Sequence, residues 1–244
     1  MTLEHALTLN RVTKTYADGD RTVIALDDIS LAVPTGSFLA VMGPSGSGKS
    51  TLLNCAAGLT PPTSGEVTIG GTGISHLNET RRTEVRRERV GFVFQQYNLV
   101  PSLTVEQNIT LPLRLAGREP DRAWLRQLAD RMGLDALFRR RPAELSGGQQ
   151  QRAAIVRALA ARPGVIFADE PTGALDLASA VEVLSLLRGL ADDLGQTVVL
   201  VTHDAAAAAR AHDVLVMADG RIVDIVSHPS ADALAHRMTT LAAR

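Results

Sequence analysis

The sequence has a single cysteine, Cys55, and aromatic residues make up only 3% of its 244 residues. One thiol excludes an intrachain disulfide framework and a cysteine-rich zinc site. Cys55 follows a glycine-rich loop and reads as a small buried apolar residue. Long apolar runs are missing too: none approaches the ~18 residues that a membrane-spanning helix needs. Met1 to Val12 has no basic stretch followed by an apolar core, so no secretory signal is recognisable. The chain therefore reads as soluble, and any membrane role is expected to come through a partner. There is no excess charge of one sign, the formal net charge being −1. Such a balance provides no general basic field, and nucleic acid is not expected as a partner. Two local basic runs, Arg81–Arg89 with five arginines against two glutamates and Arg139–Arg141, read as solvated helix faces.

What is present is a globular composition, 45% hydrophobic and 21% charged, long enough to bury a substantial core. Short apolar runs recur with polar residues at their C-terminal ends. Phe38–Met42 stops at Gly43, Val90–Phe94 at Gln95-Gln96, Val165–Ala168 at Asp169-Glu170, and Val198–Val201 at Thr202-His203. Runs of this kind are what a parallel sheet buried on both faces requires. Ligands of open α/β sheets gather at the carboxyl ends of the strands, so four polar ends predict one shared pocket. The first 35 residues and Val67–Ile69 read as short antiparallel strands with Gly70-Gly71 as a turn. Val105–Leu137 reads as helical, interrupted by Pro112 and by Gly117–Pro120. Asp219-Gly220, between Val214–Met217 and Arg221–Ile225, reads as a tight hairpin.

Gly43-Pro44-Ser45-Gly46-Ser47-Gly48-Lys49-Ser50, followed by Thr51, fits G-x-x-x-x-G-K-S/T between a strand and a helix. Glycines let backbone N–H groups turn inward around an anion, and the following helix start adds its positive dipole end. Lys49 is expected on the β- and γ-phosphates and the Ser50 hydroxyl on Mg²⁺. Only Lys14 and Lys49 are lysines among 25 basic residues. In so arginine-biased a chain, a lysine stands where a compact ammonium, not a planar fork, is needed. Asp169 at a strand end can hold Mg²⁺, and the adjacent Glu170 can polarise an attacking water.

Leu145-Ser146-Gly147-Gly148-Gln149-Gln150-Gln151-Arg152 can open a helix near Gln149, giving a second anion-binding helix start. This segment closely resembles the LSGGQ signature of ATP-binding-cassette (ABC) ATPases, and the resemblance runs through essentially the whole chain in the family's order. It implies an α/β P-loop NTPase with a mostly parallel core, an N-terminal antiparallel β subdomain and an inserted α-helical subdomain. The expected ABC ATPase domain covers 5–244, with 1–94 and 160–244 as core and 95–159 as the helical, signature-bearing part. By the same resemblance Tyr16 stacks on adenine, Gln95 senses the γ-phosphate and Mg²⁺, Asp176 belongs to the D-loop, and His203 contacts the γ-phosphate. Gly173 departs from the pattern, since many relatives have a serine there.

The resemblance further implies ATP hydrolysis with Mg²⁺ in a head-to-tail dimer. Lys49, Ser50, Gln95, Asp169, Glu170 and His203 of one copy would face Ser146–Gln149 of a second. An integral-membrane permease is the implied partner, touching the region around Gln96–Thr104 and the following helices. The expected location is the inner face of the cell membrane. Asp169–Gly173, Gly91–Pro101 and the short C-terminus look most like the bacterial group of macrolide, antimicrobial-peptide and lipoprotein-releasing systems, so export is the expected direction. A guanine-reading N-K-x-D motif is ruled out because the only lysines are Lys14 and Lys49. The remaining alternative is an ABC ATPase acting on nucleic acid or ribosomes, but those relatives typically carry coiled-coil insertions, zinc cysteines or tandem cassettes.

Overall fold

The computed structural model describes residues 4–19 and 21–242. The expected domain limit at 244 and the start of the Met1–Val12 segment therefore lie outside the described residues. Two sheets organise the chain. Strands β3 (Phe38–Met42), β6 (Val90–Phe94), β7 (Val165–Asp169), β8 (Thr197–Val201), β9 (Asp213–Ala218) and β10 (Arg221–Ser227) form the larger one, in the order β10-β9-β3-β8-β7-β6. All its pairings are parallel except β9 with β10. The smaller sheet is antiparallel, in the order β2-β1-β4-β5, from β1 (His5–Asp18), β2 (Arg21–Pro34), β4 (Ser64–Ile69) and β5 (Thr72–Gly73).

The large sheet shows why its strands read as unbroken apolar runs. Successive side chains enter different cores. Phe38, Ala40 and Met42 join one cluster with Ile166, Ala168, Val198, Leu200, Val214 and Val216. Leu39 and Val41 join the other with Val165, Phe167, Val199, Val201, Leu215 and Met217. The first cluster is closed by α3 (Val105–Leu115), α4 (Arg122–Arg131), α5 (Gly147–Leu159), α6 (Leu177–Leu194) and α7 (Ala205–Ala208). The second is closed by the small sheet and α1 (Lys49–Ala56). A period of two with both faces buried leaves no polar alternation to see in the sequence. Helix α5 packs closely on β6 at Gly91, where an added Cβ would lie 2.7 Å from the Ala158 carbonyl.

Four expectations are corrected. The N-terminal strands are not short: β1 and β2 each run 14 residues. Register shifts between Leu9 and Lys14, with Arg11 at φ 48 and Asp28 at φ 52, bend this long ribbon over the core instead of ending it. Pro112 does not interrupt its helix, since α3 continues through it to Leu115. The Gly117–Pro120 break does separate α3 from α4. Arg81–Arg89 is not simply a solvated face. In α2 (Glu79–Arg89) the Arg82 side chain is buried against Glu79, and Arg86 donates to the Gly58 carbonyl at 2.6 Å. These two guanidinium groups pull the Glu79 carboxyl down to about 2. Arg139–Arg141 is exposed but lies in a turn rather than on a helix.

The two hairpins occur where expected, with positive φ at Gly70 (51) and Gly71 (78), and at Asp219 (48) and Gly220 (74). Cys55 is fully buried and its thiol is pushed up to about 11 by that burial. Among the described residues, no helix is long and apolar enough to cross a membrane. The small helix α8 (Ala231–Ala242) packs against α7.

Candidate functional site

The glycine-rich loop leaves the end of β3 and runs directly into α1. Gly46 and Gly48 have φ 80 and 97, and an added Cβ at Gly48 would lie 2.4 Å from the Ala25 carbonyl. No other residue fits there. At Gly43 the corresponding distances are 2.3 Å to the Met217 carbonyl and 2.5 Å to Ser47 Oγ. Those close approaches pin the loop between β2 and the β9–β10 hairpin. The N–H groups of the first turn of α1 have no intrahelical acceptor, so Lys49, Ser50 and Thr51 begin the helix with donors to spare. Ser47 Oγ is buried and has no partner. Lys49 Nζ donates to the Gly43 and Pro44 carbonyls, both at 2.8 Å. An ammonium so placed can exchange two loop carbonyls for phosphate oxygens without leaving the loop. Burial pulls Lys49 below the usual lysine range, and the Glu170 and Asp169 carboxylates draw it partly back.

The other strand ends lie beside this loop because β3, β8, β7 and β6 are consecutive neighbours. Asp169 ends β7, and burial, then the Glu170 charge, raises its pKa while Lys49 opposes the shift. An acid raised in the folded state binds its proton more tightly there than in the unfolded chain. Stability therefore falls as pH rises from about 4, the unfolded value, through the raised one. At neutral pH the ionised Asp169 costs stability, so Asp169→Asn is expected to raise the melting temperature of the nucleotide-free protein by a few degrees. Thermal melts of both proteins at pH 7 check this, an unchanged or lower value being the contrary result.

Glu170 has φ 45, a left-handed conformation for a residue that precedes a proline, and such strain costs ~1–3 kcal/mol. Its surroundings hold it. The Glu170 N–H donates to the Val201 carbonyl at 2.9 Å. Its carboxylate accepts from Thr202 Oγ1 (3.0 Å), the His203 N–H (3.0 Å) and His203 Nδ1 (2.6 Å). The His203 ring itself is 79% exposed. Gln95 follows β6 and lies against Gly173, where an added Cβ would be 2.7 Å from Gln95 Nε2. A serine at 173 would push the Gln95 amide aside, which the flexible end of that side chain permits.

Ser146 caps α5. Its Oγ accepts from the Gln149 N–H at 3.3 Å, and Gln149 Oε1 accepts from the Ser146 N–H at 3.0 Å. The helix starts at Gly147 rather than near Gln149, since this capping box fixes its first turn. Gly147 and Gly148 thus present N–H groups with no acceptor inside the helix. Among the described residues, no hydrogen bond joins Ser146–Gln149 to Gly43–Thr51. One chain therefore holds two anion-binding helix starts, with no hydrogen bond between them.

A family model described as ABC transporter matches residues 26–173. The chain belongs to the ABC transporter family. It is 45% identical over 229 residues to the macrolide export ATP-binding/permease protein MacB of Burkholderia pseudomallei (strain 1710b), a match covering 93% of this chain and 35% of MacB. The chain thus spans about a third of the length of such relatives. It is 43% identical over 220 residues to the ABC transporter ATP-binding protein MJ0796 of Methanocaldococcus jannaschii, covering 88% of this chain and 94% of that one. A dimeric post-hydrolysis state of the MJ0796 cassette bound to ADP and Pi superposes with a TM-score of 0.81 at 40% identity, covering 92% and 99% of the two chains. The cbiO1 protein of Clostridium perfringens, part of the cbiONQ transporter complex, superposes with a TM-score of 0.83 at 27% identity, covering 97% and 93%. The chain is an ABC ATPase domain.

Within this cassette the outlying residues fall as follows. Tyr16 is on β1, 43% exposed and opposite Val23, with Lys14 Nζ 5.1 Å from its ring centroid. Asp176 caps α6, accepting from the Ser179 N–H at 2.9 Å and Ser179 Oγ at 2.7 Å, bonds that hold its carboxyl below the usual range. Its hydrogen bonds are thus to its own helix. Sequence reading gives no individual role to Thr202, Tyr97, Arg157 or Gln151. Tyr97 Oη donates to the Ala174 carbonyl at 3.3 Å, beside Gly147. Arg157 on α5 holds the Tyr97 carbonyl at 2.7 Å and the Asn98 carbonyl. Only Thr202 carried a sequence signal, as the polar residue that ends a buried strand.

Proposed function

We propose that this domain drives an exporter by closing on ATP as a head-to-tail dimer, hydrolysing it and reopening. The observation that carries this reading is the pair of anion-binding helix starts, Lys49–Thr51 and Ser146–Gln149, which share no hydrogen bond within one chain. Two copies arranged head to tail bring one start of each kind to either end of the same triphosphate. The relative solved as a dimer bound to ADP and Pi supports a dimeric working state.

In this reading the backbone of Gly43–Gly48 wraps the phosphates, Lys49 neutralises the β and γ oxygens, and Tyr16 stacks on the base. Ser50, Gln95 and Asp169 would hold Mg²⁺, which would offset phosphate charge. The donor set fits that ion, because Mg²⁺ keeps several waters and takes one or two carboxylates plus substrate phosphates. Among the described residues, no cluster of three or more His, Cys, Asp or Glu side chains competes for a metal. Glu170 orients water in line with the γ-phosphorus and accepts its proton, and His203 contacts the γ-phosphate. Asp176 lies at the dimer seam. Loss of the shared γ-phosphate removes the anion that both helix starts attract, and closure weakens.

MacB is by name an export protein with a permease, and this supports an integral-membrane permease as partner and export as the direction. The domain would then work at the inner face of the cell membrane. The permease contact falls on Gln96–Thr104 and the following helices, where a groove of about 860 Å³ opens between α3 and α4. Ser146→Arg tests the dimer, since it puts a bulky cation at the helix start. Light scattering with ATP under non-hydrolysing conditions is expected to show dimers for the parent and monomers for the variant. ATP-dependent dimers of the variant would refute the arrangement.

A further inference from the structure

Gln151 lies in α5, fully buried. Its Nε2 donates to the Pro171 carbonyl at 2.6 Å and to the Phe94 carbonyl at 3.2 Å. Phe94 is the residue before Gln95, and Pro171 is the residue after Glu170. Strands β6 and β7 are paired up to Phe94 and Asp169. One side-chain amide therefore bridges the two chains just where they leave the sheet. Gln151 Oε1 is buried without a partner. Packing alone would favour an apolar side chain of this size, because half of the amide is left unsatisfied. The half that is satisfied serves the backbone on either side of the γ-phosphate machinery. It also anchors the residue next to the strained Glu170, whose left-handed conformation persists only where neighbours fix it.

The same helix holds the far side of the Gln95 segment. Tyr97 and Asn98 both have φ 50, and Arg157 donates to both of their carbonyls. Ser146, at the start of that helix, is the element that would engage the second protomer's nucleotide. We propose that Gln151 is a positioning residue for ATP hydrolysis, whose amide sets Gln95 and Glu170 together and makes both follow the signature helix. This rests on the head-to-tail reading. Gln151 does not itself touch nucleotide. Its consequence is a link between sites: engagement of Ser146 with one ATP fixes Gln95 and Glu170 around the other.

The test is Gln151→Met, close in volume but without an N–H, with Gln151→Leu as a second apolar variant that also cannot donate. We expect kcat to fall at least about tenfold, with ATP affinity within about twofold and melting close to that of the parent. A structural defect alone would multiply with any other lesion. A positioning defect acts in part through Gln95, so Gln151→Met added to Gln95→Ala should lower kcat by a clearly smaller factor than it does in the parent. Parent-like kcat in either folded variant, or losses that multiply fully, overturns the proposal. ATP-dependent dimerisation of the Glu170→Gln protein is measured alongside. If that protein stays monomeric, the head-to-tail reading has failed. If it dimerises while Gln151→Met turns over normally, only the positioning role has failed.

Discussion

Glu170→Gln is expected to lower kcat about 10³-fold, within the range for loss of a general base, or about 4 kcal/mol of barrier. The fold should be unaffected. Glutamine keeps the length of the side chain, and one amide oxygen can still accept from His203. The new N–H₂ group faces Thr202, whose hydroxyl can rotate from donor to acceptor. Glu170 contributes no hydrogen bond to the glycine-rich loop, so ATP affinity should stay within a few-fold of the parent. With binding intact and hydrolysis blocked, the closed dimer should accumulate. Steady-state turnover, nucleotide titration and size-exclusion chromatography with ATP separate the three claims. Near-normal turnover would remove Glu170 from its assigned role.

Lys49→Ala should have the opposite profile. Each charge-assisted hydrogen bond to a phosphate is worth ~1.5–3 kcal/mol, so losing the ammonium should weaken ATP binding by roughly 10- to 100-fold or more. Turnover and dimerisation at moderate ATP should disappear with it. Melting of the nucleotide-free protein should change little, because the bonds to Gly43 and Pro44 that are lost are balanced by the burial cost of the charge. Lys49→Arg should not rescue binding, since a planar guanidinium does not fit where a point charge reaches between loop carbonyls. ATP affinity measured by calorimetry checks both variants, and parent-like binding by the alanine protein is the contrary outcome.

How much of this could be read in advance depends on whether the signal was local. The β3, β6, β7 and β8 runs were legible because a strand buried on both faces needs consecutive apolar residues. Their polar ends were legible because nothing apolar could follow. The glycine-rich loop was legible because close backbone approaches at Gly43 and Gly48 admit no side chain. Pro112 was misread: a missing donor weakens a helix locally, but tertiary packing of Ile109 and Leu113 in the core carries α3 past it. The length of β1 and β2 was misread because bulges at Arg11 and Asp28 look like strand ends in one dimension. Arg82 was misread because its burial depends on Glu79 and on the fold around it, not on the charge run. Gln151 and Arg157 carry no sequence signal at all. Their partners are backbone carbonyls distant in sequence, from 20 residues away at Pro171 to 60 at Tyr97, and only the packed α5 brings them together. The left-handed Glu170, Tyr97 and Asn98 are hidden for the same reason.

The central claim is that a triphosphate held by Lys49 in one protomer is also bound by the Ser146 helix start of another. The most direct measurement is a structure of the Glu170→Gln protein with ATP and Mg²⁺. The account predicts Ser146 Oγ and the Gly148 N–H of one protomer at about 3 Å from the γ-phosphate bound at its partner's glycine-rich loop. A nucleotide-bound assembly in which no phosphate lies near Ser146 would contradict it.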